Sequence, residues 1–176
     1  MYIGGILMNH DLHEKLRLMA KTAMMTALIC LLTATLHIPS GHGYIHLGDA
    51  MIYLAAALLP APYAIFAAAL GGGMADLISG YAMYILPTMI IKSLLAGTCS
   101  LIGGSRLCCP ARIISALICC VITTVGYWIT EVLLYQGDIW AQFWITLPGN
   151  LTQSIGSAVV FAVCAAALDR LPHRTV

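Results

Sequence analysis

Asp49, Asp76, Lys92, Glu131, Asn150 and Gln153 each lie inside or at the edge of a long apolar stretch of the chain. An ionisable side chain in hydrocarbon is costly and normally faces a cavity, a ligand or a partner. Asp49 opens the second apolar stretch and Asp76 lies near the end of the third. Lys92 follows Pro87 by about a turn and a half of helix, Glu131 lies near the end of the fifth stretch, and Asn150 and Gln153 lie just after the Pro148-Gly149 break in the sixth. All six fall at one level. Groups of this kind can hydrogen-bond or ion-pair with a small polar solute. Catalysis has less support, because no Ser-His or paired-carboxylate arrangement occurs on matching segments. The structural alternative is an Asp76–Lys92 bridge, with one more pair, holding the segments together.

Aromatic residues gather at the same level: Tyr44, Tyr81, Tyr84, Trp128, Trp140 and Trp144. Polar groups converging between aromatic walls suit a small, flat ligand. Trp140 and Trp144 suit an interfacial belt equally well. His42 and His46 stand four apart, but Gly41 and Gly43 argue against the helix that would turn them into a metal pair. They are read as loop residues that meet a ligand or water, and no metal site is expected.

Six apolar segments must position these residues, near 18–38, 47–59, 63–79, 87–103, 113–134 and 143–168. Pro39-Ser40-Gly41, Pro60-Ala61-Pro62, Gly80 to Leu86, the Arg106–Arg112 stretch and Gln136-Gly137-Asp138 interrupt them, as Gly and Pro clusters do. The second and third fall short of the roughly 20 apolar residues of a straight crossing, which implies tilt or a start within the loop. Lys15, Arg17 and Lys21, then Arg106 and Arg112, then Arg170 and Arg174 are separated by even numbers of segments. All three clusters therefore fall on one side, which the positive-inside rule makes cytoplasmic. The expected organisation is a cytoplasmic tail at 1–17, one six-helix transmembrane domain at 18–170 and a cytoplasmic tail at 171–176. Met1 to Met8 is read as a disordered or interfacial tail, with Met8 an alternative start.

Composition excludes an ordinary soluble domain. The 176 residues are 61% hydrophobic and 9% charged, against about a quarter charged in soluble proteins, and the mean hydropathy is +0.93. A net charge of +1 leaves no basic stripe for nucleic acid. Cys30, Cys99, Cys119, Cys120 and Cys164 lie in apolar segments as small hydrophobes, and Cys108-Cys109 falls in a loop on the reducing side. The run Gly71-Gly72-Gly73 after Ala67-Ala68-Ala69 reads as a close-packing face for another helix.

The combined spacing of Gly43-Tyr-Ile-His-Leu-Gly-Asp-Ala50, Gly72-Gly-Met-Ala-Asp-Leu-Ile-Ser-Gly-Tyr81 and Pro87-Thr-Met-Ile-Ile-Lys-Ser-Leu94 resembles the S components of energy-coupling factor (ECF) transporters. The likeness is to the riboflavin- and hydroxymethylpyrimidine-type subgroup. Gly126-Tyr127-Trp128 with Glu131, and Pro148-Gly149-Asn150-Leu151 with Gln153, look like later motifs of the same family. The resemblance implies an all-α, six-helix bundle in the bacterial cell membrane, without catalytic activity. It implies a transmembrane coupling protein and two cytoplasmic ATPases as partners. The chain has no phosphate-binding loop and binds no cofactor on this reading, so ATP is hydrolysed by those partners. His46, Asp49, Asp76, Tyr84, Lys92, Trp128, Glu131, Asn150 and Gln153 become the expected ligand site. Ala20, Ala23 and Ala27 match the family's small-residue face for the coupling protein.

The expected cargo is a heteroaromatic vitamin or precursor: hydroxymethylpyrimidine, pyridoxine, riboflavin or a queuosine precursor. The carboxylates favour N–H donors or positive charge, provided Lys92 is already paired. The rivals are a proton-coupled secondary transporter, which would place its groups at the midplane of an inverted repeat, an intramembrane enzyme, a purely structural membrane protein, and a nickel or cobalt S component. The last typically starts Met-His, whereas this chain starts Met1-Tyr2.

Overall fold

The chain is seen in a computed structural model that describes residues 3–40, 43–104, 107 and 109–170. Gly41, His42, Arg106, Cys108 and Arg174 lie outside the described residues, as does the side chain of Tyr44. The elements run α1 (Ile3–Thr35), β1 (His37–Ser40), β2 (Gly43–His46), α2 (Gly48–Leu58), α3 (Ala61–Ile78), a 3-10 turn (Ala82–Tyr84), α4 (Ile85–Ile102), α5 (Pro110–Tyr135) and α6 (Ile139–Asp169). Among the described residues five helices are long and apolar enough to cross a membrane, and α2 is a shorter apolar helix. This is the expected all-α polytopic bundle.

Three details differ from the expectation. The first helix reaches back to Ile3, through the stretch read as a disordered or interfacial tail. The loop after α1 carries an antiparallel hairpin in which His37 pairs with His46 and Ser40 with Gly43. At 11 residues, α2 rises only about 16 Å, roughly half of a hydrocarbon core. The hairpin accounts for the short second segment. Backbone that is not helical must be covered by protein at membrane depth, and β2 packs on α6 and α1. The third difference is Pro148, read as a break. Helix α6 runs through it without interruption, as membrane helices tolerate when neighbours cover the freed backbone group.

The two faces of the bundle reverse those of a soluble protein. Leu94, Leu117, Ile155 and Val159 point outward, more than half exposed, while Thr33, Thr88, Thr123, Ser157, Asp49 and Lys92 are buried. Several helix hydroxyls fold back onto their own carbonyls, among them Thr22 onto Leu18 at 2.8 Å and Thr130 onto Gly126 at 2.8 Å, so these need no water in an apolar solvent. Such a surface is stable only in lipid. The protein is a membrane protein.

Helix α3 sits between α1 and α4 and packs heavily on both. Gly71, Gly72 and Gly73 make this possible. A Cβ on Gly71 would lie 2.8 Å from Ile29 and 2.9 Å from the Thr26 carbonyl oxygen, and one on Gly72 would lie 3.0 Å from Lys92 and Thr88. Close approach without a side chain lets van der Waals contact hold helices together in lipid. Helix α2 is the innermost element, covered by α1, α3, α4 and α6. The hairpin, the α3–α4 connection and the α5–α6 turn share one end of the bundle, here the hairpin end. The α2–α3 and α4–α5 connections share the other.

Candidate functional site

Asp49 is in the first turn of α2, directly after the hairpin, and is fully buried. Its Oδ1 accepts from Lys92 Nζ of α4 at 2.6 Å, and its Oδ2 from Gln153 Nε2 of α6 at 2.8 Å. Gln153 Oε1 accepts from the His46 main-chain N–H at 3.4 Å. The Gly48 N–H donates to His46 Nδ1 at 3.0 Å, which holds the imidazole at the start of α2. Three helices thus meet on one carboxylate, and β2 joins them through Gln153. The structural alternative paired Lys92 with Asp76; its hydrogen bond is made to Asp49, with Asp76 a further negative charge acting on it. The physical reason is register, since Asp49 stands at the start of a helix enclosed on all sides and faces the Lys92 side of α4.

From Lys92 a line of aromatic and polar groups runs toward the hairpin end. Nζ lies 5.4 Å from the centre of the Tyr127 ring, within cation–π reach. The Tyr127 hydroxyl is 3.1 Å from Thr88 Oγ1, and the rings of Tyr127 and Tyr84 are 6.4 Å apart. Tyr84 is buried, packs edge-on to Tyr81 and donates to the Tyr135 hydroxyl at 3.2 Å. One turn beyond Tyr127 on α5, buried Glu131 accepts from the Thr146 hydroxyl of α6. That hydroxyl also lies 2.8 Å from the Gln142 main-chain oxygen. Asp76, 4% exposed, is one turn past Gly72, the residue against Lys92 and Thr88. The α5–α6 turn is closed by Asp138, whose side chain accepts from Trp140 N at 3.0 Å and Ala141 N at 2.8 Å, an N-cap of the usual kind.

The structure therefore joins His46, Asp49, Lys92 and Gln153 in one network, with Tyr84 and Glu131 on the line that continues from it. Asn150 is half-buried on α6. Trp128 is spent elsewhere: its indole N–H donates to the Ile139 carbonyl at 2.9 Å, and its ring meets Phe143 edge-on. It clips α5 to α6. Thr88, Tyr127, Gln142 and Thr146 were absent from the expected site. Helical spacing held the signal for two of them, since Tyr127 is four residues before Glu131 and Thr88 four before Lys92, each on one face. Trp128 is a step of about 100° away from that face. Among the described residues no group of three or more metal-ligating side chains occurs.

On the other flank, α1 and α3 leave an apolar groove of about 1000 Å3, lined by Ala23, Ala27, Thr26, Cys30, Phe66 and Leu70 among others. Ala20 is exposed one turn before it.

The family model for the S component of the ECF-type riboflavin transporter matches residues 14–170. The chain is an ECF S component. The match takes in all of α2 to α6 and most of α1, so the buried network lies wholly inside it. No curated protein matches the chain. Membership makes this S component a substrate-binding subunit of a transporter, and the family is not one of enzymes.

Proposed function

We propose that this S component captures a small heteroaromatic vitamin or precursor at the hairpin end and delivers it through a transmembrane coupling protein and two ATPases. The observation that carries the reading is the buried Asp49–Lys92–Gln153 network, continued by Tyr127, Tyr84 and Glu131 at one end of a lipid-facing bundle. Four helices and a hairpin converge there on polar groups that a structural bundle does not require. The site residues are His46, Asp49, Asp76, Tyr84, Lys92, Glu131, Asn150 and Gln153, with Trp128 supporting them through the α5–α6 clip. The adjacent rings of Tyr84 and Tyr127 support a flat heteroaromatic cargo of the hydroxymethylpyrimidine, pyridoxine, riboflavin or queuosine-precursor kind.

The chain itself binds no cofactor on this reading and catalyses no reaction; ATP is hydrolysed by the partners. The groove bearing Ala23 and Ala27 is the face offered to the coupling protein, because exposed small residues let a partner helix approach closely. Lys15, Arg17 and Lys21 support a cytoplasmic location for the opposite end, with the hairpin end outside. An impermeant maleimide applied to intact cells should label Asp138→Cys; protection of that position would reverse the orientation.

The functional test is reconstitution in liposomes with the coupling protein and both ATPases, using the compound that co-purifies with the protein. Uptake should require ATP and stop when the coupling protein is omitted. Uptake by the S component alone, driven by a proton gradient, would replace this reading with a secondary transporter.

A further inference from the structure

Two sulfur atoms meet in the half of the bundle away from the hairpin. Cys99 of α4 and Cys119 of α5 are 2% and 0% exposed, and their Sγ atoms are 3.5 Å apart. The Cys119 thiol also lies 3.7 Å from the Leu95 carbonyl oxygen, one turn back along α4. The other described cysteines, Cys30, Cys109, Cys120 and Cys164, are partly exposed. In the sequence all of these read alike, as small hydrophobes; the packing of α4 on α5 singles out two of them.

The surroundings of the pair are not purely apolar. Ser115, one turn before Cys119 on α5, is buried and interacts with the Cys99 thiol. Arg112, a further turn back, sends its guanidinium to the Gly104 carbonyl just past the end of α4 at 3.2 Å, and its charge acts on Cys99. A hydroxyl donor and a cation thus stand beside one sulfur, and a second thiol touches it. A thiolate that attacks an oxidant needs neighbours of this kind, and a thiol in contact is placed to resolve the oxidised product.

We infer that Cys99 and Cys119 form a redox site, a dithiol that a peroxide closes into a disulfide between α4 and α5. The Cys99 thiolate attacks one peroxide oxygen and the O–O bond breaks. The departing hydroxide takes the proton released by Cys99 and leaves as water. The Cys119 sulfur then attacks the Cys99 sulfenic acid: the S–S bond forms, the S–O bond breaks, and the hydroxyl leaves with the Cys119 proton as a second water. The two sulfurs lose one electron each, and the peroxide gains both. An S–S bond is about 2.0 Å long, so it asks for a short approach by two side chains already in contact. Cys99 follows Lys92 by seven residues and Cys119 precedes Tyr127 by eight, about two turns along the same stripes of the same helices. The bond therefore ties α4 to α5 beneath the Lys92–Tyr127 contact and fixes the spacing of the helices that carry it. On the orientation proposed above, the pair lies toward the reducing side, rests as the dithiol and closes under oxidative exposure.

The test uses the S component alone and needs no cargo, so its outcome is separate from that of the uptake experiment. Detergent-solubilised, folded protein is treated with hydrogen peroxide, alkylated under denaturing conditions and mapped by mass spectrometry. The peptides holding Cys99 and Cys119 should appear joined, with the loss of two hydrogens, and should separate again after dithiothreitol. The cysteines are 20 positions apart, and closing a loop of that size should raise the melting temperature by about 5–10 °C. Cys119→Ser removes the resolving thiol: oxidation should then stop at a Cys99 sulfenic acid that dimedone traps, and the rise should vanish. Cys120→Ser, next in the chain and partly exposed, should leave both the cross-link and the rise intact. Should Cys119→Ser not fold, the mapping of the parent protein decides by itself. Oxidation of the other cysteines while Cys99 and Cys119 stay free thiols overturns the inference. So does a Cys99–Cys119 link no more abundant than other pairings, one that forms only above the melting temperature, or one that leaves the melting temperature unchanged.

Discussion

Lys92 Nζ lies 2.6 Å from Asp49 Oδ1, and the two side chains are 1% and 0% exposed. The pair links α4 to α2 at the level where the hairpin joins the bundle. In so dry a setting each charge depends on the other, because removing one strands its partner.

Asp49→Asn and Lys92→Met should each destabilise the detergent-solubilised protein by about 3–5 kcal/mol, the usual cost of stranding one member of a buried pair. The double variant should recover a substantial part of that loss, since no charge is left uncompensated. Thermal unfolding of all four proteins in one detergent checks this. A double variant no more stable than the worse single would mean that the two residues act separately.

Two glycines should respond in opposite ways to the same methyl group. Gly71→Ala places a Cβ 2.8 Å from Ile29 and 2.9 Å from a backbone oxygen of α1, which cannot yield, so a loss of about 1–3 kcal/mol is expected from overpacking. Gly97→Ala meets only Ile65 at 3.8 Å and should be neutral or slightly stabilising, as Ala favours helix over Gly. Melting temperatures of the two variants make the comparison; equal losses would contradict the close contact of α1 with α3.

The α1–α3 groove separates binding from delivery. Ala23→Trp or Ala27→Leu fills the slot without touching the network around Asp49. Uptake in the reconstituted system should be abolished, while ligand affinity in detergent stays within about twofold, less than the half kcal/mol typical of surface changes. Loss of affinity along with uptake would make these alanines internal packing residues.

Much of this protein was legible in its sequence. The apolar stretches, the clusters around Lys15 and Arg170, and the polar residues from Asp49 to Gln153 point to a membrane bundle with one polar level, because hydrocarbon penalises charge wherever it falls in the chain. The motifs around Asp76, Lys92 and Glu131 led to the family. Pairing was not legible. Asp76 and Asp49 are equally acidic, and sequence spacing suggested Asp76 for Lys92. Only the packing of α2 inside α1, α3, α4 and α6 decided for Asp49. The hairpin was hidden because four-residue strands around a Gly-rich turn carry too short a pattern to tell from loop. Trp128 illustrates the same limit on α5, where one step of helical rotation separates it from Tyr127. Composition and periodicity say which residues avoid lipid and water; which of them meet is set by helix register and close approach, and those exist only once the bundle has formed.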